Sequence, residues 1–352
     1  MKTTLIYALH SGGLYGTERM ALATAQGLRN DFDIVVFAPD GEALAEARRL
    51  GFATCAFKSP IDFAIQLRPF FARHQQLAFI ATGVVHSLAA VAWNALYRRQ
   101  LTHLHVVHGG ADELSSYGRK RRLNGTHVTF VAVSDFVRTR LIANGVRADK
   151  IIVVENFLTY DHILRCRKRP KFARAGLTKL VVVSRVDPIK RIDLLLNALD
   201  QTPELGQVSI RVLGTGWDLD TMRARAAERN PNVTFVGFTS EVEKELAASD
   251  LLVHLCPNEP FGLAILEAMA AGVPVLVPNS GGAGSLVEDG ATGFHFEANN
   301  AQSLATHIRS LLDASPDLLN DVVSRGRKSL VERFSQTAGI SNYRQLLEGG
   351  SV

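Results

Sequence analysis

Apolar residues in this chain fall into short, near-continuous runs separated by segments with helical spacing. Residues 5–9 form a β-rich run ending in His10, and the loop SGGLYGTE follows. Over 17–28, Met20, Ala21, Ala25 and Leu28 share one helical face, which predicts a helix. Further strands are predicted at 34–38, 54–57, 78–81, 103–107, 129–133 and 151–154, with helical segments between them. The pattern then pauses. Residues 156–178 are basic, weakly periodic and broken by Pro170, and read as a crossing between domains. Beyond it strands are predicted at 180–183, 209–213, 233–236 and 251–255, with helices at 191–199, 218–228 and 241–247. A helix at 263–271 stops at Gly272, a buried strand covers 273–277, and Gly281-Gly282 close that unit. A short strand at 293–296 precedes helices at 301–312 and 318–331, and a last helix at 335–347 is expected to cross back onto the N-terminal half. Strands that are apolar throughout and alternate with helices predict parallel sheets covered on both faces. The expected class is α/β, with two doubly wound, Rossmann-like domains facing a central cleft. The first covers 1–160 plus the terminal helix 335–352, and the second covers 175–334.

Length agrees, since 352 residues suit two domains of ordinary size. An apolar share of 47% and a charged share of 21% are those of a globular protein with sizeable cores. Cys55, Cys166 and Cys256 are far apart and show no zinc spacing, which reads as a reducing, cytoplasmic setting. No secretory signal is read at the N-terminus, and residues 77–93 read as a buried strand and helix, not a membrane span. The net charge of +5 is clustered: residues 119–122 read RKRR, and no acidic residue lies between His162 and Arg185. Such runs suit a solvated face, an anionic lipid surface or an anionic substrate. Nucleic acid is not expected, because no aromatic residues interleave with the charges.

Candidate chemistry sits where strands end. Glu259 precedes the 263–271 helix and Glu267 lies one turn into it, with seven residues between them. Two carboxylates bracketing a helix start suit sugar and ribose hydroxyls, with a phosphate on the N–H groups between them. Arg185 and Lys190 follow another strand and suit a diphosphate or an ordinary solvated turn. Gly12 and Gly13 follow the first strand, where either a tight turn or close backbone approach to a phosphate or acceptor explains them. Gly214 opens a partial G-x-G that lacks its third glycine and its acidic partner. Asp218 and Asp220, and Ser134-Asp135, read as helix-start residues. His108 ends a strand before two glycines, a place that suits a cleft or a sheet edge. The nucleophile elbow, the P-loop and H-E-x-x-H are all absent.

Together these pieces resemble the retaining glycosyltransferases of family 4, which have the GT-B fold and include bacterial enzymes of lipopolysaccharide, exopolysaccharide and glycolipid assembly. Glu259-Pro260-Phe261-Gly262-Leu263 with Glu267 is similar to the family's Glu, seven residues, Glu motif. VVVSRVDPIKRIDLLLNAL looks like its strand, Arg, turn, Pro-x-Lys block, with Ser184 and Arg191 where the family often has glycine. The Gly12-Gly13 loop, His108 and AGVPVLVPNSGGAGSLVEDGATGFHF extend the likeness over nearly the whole chain. The resemblance implies transfer of a sugar from a UDP- or GDP-sugar to a glycan or lipid-linked acceptor, with no metal required. It implies that Arg185 and Lys190 neutralise the leaving diphosphate, helped by N–H groups near Phe261, Gly262 and Leu263. Glu267 would bind ribose and Glu259 sugar hydroxyls, His108 would meet the reacting sugar, and Gly214 with Phe238, Thr239 and Ser240 would touch base and phosphates. It also implies peripheral contact with the inner face of the cytoplasmic membrane. The rival expectations are another GT-B enzyme, such as a sugar phosphorylase or a sugar-nucleotide epimerase, and a non-catalytic sugar-nucleotide-binding protein.

Overall fold

The computed structural model describes residues 2–110 and 112–349. The outermost ends of the expected first domain, residue 1 and residues 350–352, lie outside the described residues. The chain divides into two compact units, one of residues 1–157 with 336–352 and one of residues 158–335.

The N-terminal unit is built on seven strands: β1 (Thr3–Ala8), β2 (Phe32–Pro39), β3 (Ala53–Phe57), β4 (Gln76–Ala81), β5 (Gln100–Val107), β6 (Thr129–Ala132) and β7 (Ile151–Val153). Their order is β3-β2-β1-β4-β5-β6-β7, and every pairing is parallel. The strands are almost wholly apolar because both faces are covered; Leu5, Ile6, Phe37 and Phe79 are fully buried. The helix Gln336–Leu347 belongs to this unit and packs on the helix Gly16–Leu28. Gly27 permits that contact, since a Cβ there would strike Ile340, and Gly339 leaves room for the Phe157 ring. Arg344 adds an ion pair to Asp31 at 2.9 Å.

The second unit holds β8 (Lys179–Val183), β9 (Ser209–Leu213), β10 (Val233–Gly237), β11 (Leu251–Val253), β12 (Val275–Pro278) and β13 (Phe294–Phe296). Their order is β10-β9-β8-β11-β12-β13, again parallel throughout. From residue 158 onward, the basic stretch read as a crossing belongs to this unit for physical reasons. Arg169 pairs with Asp250 at 2.6 Å and lies 3.4 Å above the Phe172 ring, and Phe172 is buried in the unit's core. That stretch also contains a short helix, Tyr160–Arg165, whose N-cap Thr159 accepts from the His162 N–H.

Both sheets reverse strand order once, between β1 and β4 in the first unit and between β8 and β11 in the second. In open parallel sheets the crevice beyond the carboxyl ends of such strands is where ligands bind. Among the described residues, no helix is long and apolar enough to cross a membrane.

Candidate active site

At the second unit's reversal point, one ion pair joins the two diverging strands. Lys190 follows β8 on a short 3-10 turn, Pro188–Lys190, and Glu259 follows β11. Lys190 Nζ donates to Glu259 Oε2 at 2.6 Å, and both side chains are largely buried, with 16% and 13% exposed. Burial works against ionisation of the Glu259 carboxyl, but Lys190 and then His254 overcome it and hold the group well below the usual carboxylate range. Burial likewise pulls Lys190 down, and Glu259 more than restores it, leaving the ammonium above its ordinary value. His254 Nε2 stands 3.3 Å from the same Oε2 without the geometry of a hydrogen bond. Burial and the nearby Glu259 charge raise the Cys256 thiol to about 11, so it stays protonated.

The Glu259 loop is clamped from behind. Ser280 Oγ donates to the Pro257 carbonyl at 2.8 Å, and the Gly282 N–H donates to the Glu259 carbonyl at 2.6 Å. A Cβ on Gly282 would sit 2.1 Å from the Pro260 carbonyl oxygen. Gly281 and Gly282 thus open a short helix, Gly281–Ser285, and press its start against the loop. The helix Leu263–Ala271 begins at Gly262, whose φ of +110° suits glycine, and it ends at Gly272 with φ +73°. The first N–H groups of that helix have no acceptor within it.

The other expected residues of this unit fall as follows. Arg185 is 63% exposed and pairs at 2.7 Å with Asp187, a buried carboxylate that sequence reasoning read only as part of a turn. Arg191 stands where the resembling family often has glycine, and it keeps the left-handed backbone itself with φ +57°. Its guanidinium is tied to Asp193 at 3.1 Å and to Asn299. Gly214 has φ +134°, and a Cβ there would lie 2.0 Å from the Ser184 carbonyl oxygen, so close approach of two strand-end loops explains that glycine. Phe238, 80% exposed, follows β10, with Thr239 and Ser240 after it. Phe261 is buried with its ring 6.1 Å from that of Phe334, which leaves only its backbone for a ligand. Leu263 and Glu267 are half-buried on the 263–271 helix. His254 ends its strand run much as His108 does, a positional signal that could have found it.

The N-terminal unit has its own bridge at its reversal point. His10, beyond β1, contacts Thr82, beyond β4, through its backbone N–H at 3.1 Å and through Nδ1 at 2.8 Å. Both line a cavity of about 350 Å³ shared with His108, Arg119, Lys120 and Arg122. Burial, then the neighbouring His10, pulls His108 down to about 3, so its ring is neutral; its Nε2 has no hydrogen-bond partner among the described residues. Gly12 is held by close approach, since a Cβ would meet the carbonyl oxygens of Asp40 and Pro39 at 2.7 and 2.9 Å. The neighbouring Gly13 N–H donates to Ser11 Oγ at 3.1 Å. Ser134 caps its helix by accepting from the Val137 N–H, and His103 and His105 share the buried Ser87 hydroxyl, so these are structural. Among the described residues, no cluster of three or more His, Cys, Asp or Glu side chains could hold a metal ion.

Two family descriptions match the chain in tandem. Glycosyltransferase Family 4 matches residues 15–161, and Glycosyl transferases group 1 matches residues 167–329. The N-acetyl-alpha-D-glucosaminyl L-malate synthase of Bacillus anthracis is 28% identical over 166 residues, which is 47% of this chain and 43% of that protein. The lipopolysaccharide core biosynthesis glycosyltransferase LpsE of Rhizobium meliloti (strain 1021) is 28% identical over 200 residues, 56% of this chain and 58% of that one. The matched stretches thus span about half the length of these curated relatives. Anabaena Alr3699/HepE, solved in complex with UDP and glucose, shares the fold with a TM-score of 0.82 at 22% identity, covering 98% of this chain and 99% of that one. With two parallel sheets that each reverse once and both halves matched in order, the chain belongs to the family 4 glycosyltransferases of the GT-B fold.

Proposed function

We propose that the chain transfers a sugar from a nucleotide-diphosphate sugar to a hydroxyl of a glycan or lipid-linked acceptor, with retention of configuration and without a metal. The observation that carries this reading is the buried Lys190–Glu259 pair at the reversal point between β8 and β11. A charged lysine and a charged carboxylate are held in a low-dielectric crevice beside a helix start, before any substrate arrives. In transfer, the bond from the sugar's anomeric carbon to the diphosphate oxygen breaks, and its electron pair leaves on the diphosphate. The acceptor oxygen bonds to the same face of that carbon, and its proton passes to the departing phosphate oxygen. Lys190, Arg185 and the N–H groups at Gly262 and Leu263 stabilise the growing negative charge, the work of a preorganised electrostatic site. Glu259 stays ionised beside Lys190, so it serves as a hydrogen-bond acceptor for sugar hydroxyls and as the group that holds the ammonium in place. Glu267 takes the ribose hydroxyls. The exposed ring of Phe238, with Thr239, Ser240 and the backbone at Gly214, suits the base and its phosphates. The neutral His108 offers the N-terminal unit's hydrogen bond to a hydroxyl.

The test is a panel of UDP- and GDP-sugars incubated with wild type and Lys190→Ala, with release of nucleoside diphosphate as the readout. The expected result is release from one donor that needs an acceptor hydroxyl, falls by about a hundredfold or more in the variant, and survives a chelator. Release that requires inorganic phosphate would replace transfer by phosphorolysis. Binding of a donor with no turnover under any acceptor would leave a non-catalytic protein.

A further inference from the structure

The cavity of the N-terminal unit carries a charge imbalance that the donor chemistry does not use. It is lined by Lys120, Arg119, Arg122, His10 and His108, and among the described residues no carboxylate lines it. Lys120 is the telling group. It is 8% exposed, and its Nζ donates to the Ser115 carbonyl at 2.7 Å, with no acidic partner among the described residues. Burying an ammonium against a neutral dipole alone is costly, and proteins normally pair it. Burial, and then the charge of Arg119, bring Lys120 down to about 8, so most molecules still carry the charge at neutral pH. Arg119 and Arg122 are exposed and make no ion pair among the described residues; Asp112, which feels the Arg119 charge, is fully exposed and outside the lining. His108 adds a buried Nε2 with no hydrogen-bond partner among the described residues.

We infer that this cavity binds a phosphate group of the acceptor, with Lys120 as the buried point charge, Arg119 and Arg122 as the rim, and His108 as a neutral hydrogen-bonding wall. Three cations without an acid match the two negative charges of a phosphomonoester better than the single charge of a carboxylate, and guanidinium groups bind phosphate oxygens in pairs. The word acceptor rests on the transfer reading above; the anion site itself does not.

Calorimetric titration of the full chain with glycerol 3-phosphate, at constant ionic strength, tests the site, with glycerol and acetate as controls. Wild type should bind glycerol 3-phosphate, acetate should bind about tenfold or more weakly, and glycerol not at all. Lys120→Met and the double variant Arg119→Ala/Arg122→Ala should each weaken the phosphate by about tenfold or more. Arg185→Ala should leave it unchanged. The arginines are exposed, so the double variant decides the matter even where Lys120→Met unfolds. Phosphatidic acid in phosphatidylcholine vesicles is the second arm. Vesicle binding that needs Arg119 and Arg122, without binding of the soluble phosphate, supports the site and assigns its phosphate to a lipid headgroup. Binding of neither probe, acetate binding as well as phosphate, or binding that survives in both variants overturns the inference. A parallel titration with UDP keeps the two readings apart, because loss of UDP binding by wild type fails the donor proposal and leaves the cavity result standing.

Discussion

Lys190 Nζ lies 2.6 Å from Glu259 Oε2, joining residues 69 positions apart that each follow one of the two strands where the second sheet reverses. Each partner keeps the other charged against burial. Removing one therefore differs from removing both. Lys190→Met should cost about 3–5 kcal/mol of stability by leaving the Glu259 carboxylate buried without its ammonium, Glu259→Leu should likewise strand the Lys190 ammonium, and the double variant Lys190→Met/Glu259→Leu should cost much less than their sum. Denaturant unfolding of the four proteins in a double-mutant cycle measures this. Strictly additive losses would show that the contact has no energetic weight. Activity should separate from stability here, since Glu259→Gln keeps a hydrogen bond to Lys190 and should still lower turnover by about tenfold or more.

Arg185 presents the opposite case. Its side chain is mostly exposed and its partner Asp187 lies two residues on, in the loop that follows β8. Losing the guanidinium leaves the buried Asp187 carboxylate with the Trp217 N–H, at 3.4 Å, to satisfy it, a cost of about 1–3 kcal/mol. Arg185→Ala should lower the denaturant midpoint less than the Lys190 single variant does, and yet lose about tenfold or more in nucleoside diphosphate affinity. Unchanged affinity in a titration with UDP and with GDP would remove Arg185 from the diphosphate site.

Much of this was open to the sequence. The elements Ser209–Leu213, Leu263–Ala271 and Ala301–Leu312 are read with the bounds the structure gives them, because clear signals mark their ends: Gly272 in the left-handed region stops one helix, and Asn300 caps another by accepting from the Ser303 N–H. The strand ends that carry Arg185, Lys190, His108 and Glu259 are legible for the same reason. What spacing does not encode is which strand ends become neighbours. The Lys190–Glu259 contact and the His10–Thr82 contact both depend on the order in which parallel strands pair. Lys120 looks in the sequence like one charge in a solvated basic run, and Phe261 looks like part of a ligand loop. Phe261 is buried against Phe334, distant in the chain, while Lys120 folds back onto the Ser115 carbonyl and faces a cavity shared with the distant His10 and Thr82.

Arg191 adopts φ +57° at a position where glycine carries no Cβ penalty. Its side chain offsets part of that strain through Asp193 and Asn299. Arg191→Ala keeps the strain and loses both contacts, while Arg191→Gly removes the strain. The glycine variant should therefore be about 1 kcal/mol more stable than the alanine variant, although elsewhere in a chain the order is the reverse. An alanine variant as stable as the glycine one would mean the left-handed turn is not kept in solution.

Gly282 tests the clamp behind Glu259. A methyl group there would meet the Pro260 carbonyl, which is backbone and cannot rotate away. Gly282→Ala should displace the 257–260 loop and lower turnover by about tenfold or more, since positioning errors near 1 Å have that effect. Gly125→Ala, at a site with nothing within 4 Å, is the matched control and should be silent. Equal activity in the two variants would show that the loop does not need its clamp.

Acid should unfold the N-terminal unit first, and the sign follows from its histidines. His86, His103 and His105 are buried, and all three are lowered from the ordinary imidazole value, mainly by burial, His86 to about 4. The folded unit holds them neutral, while the unfolded chain takes up protons once the pH drops below about 6.5. Stability therefore falls as pH falls, by about 1.4 kcal/mol per pH unit for each histidine, until the folded-state values are reached. Glu259 cannot produce this slope. Its depressed value keeps its contribution constant above the usual carboxylate range, with loss only as the pH falls through the lower folded value. His86 isolates the effect. Its ring packs against Phe57 and Phe63 at 5.1 and 4.6 Å, and its Nδ1 has no hydrogen-bond partner among the described residues, so phenylalanine fits the surroundings. His86→Phe should reduce the acid slope of unfolding by about one proton's worth, roughly 1.4 kcal/mol per pH unit. Denaturant unfolding at intervals between about pH 7 and 5 reads that difference directly. Parallel curves for wild type and variant would show that His86 titrates alike in both states, and the acid sensitivity would have to come from elsewhere.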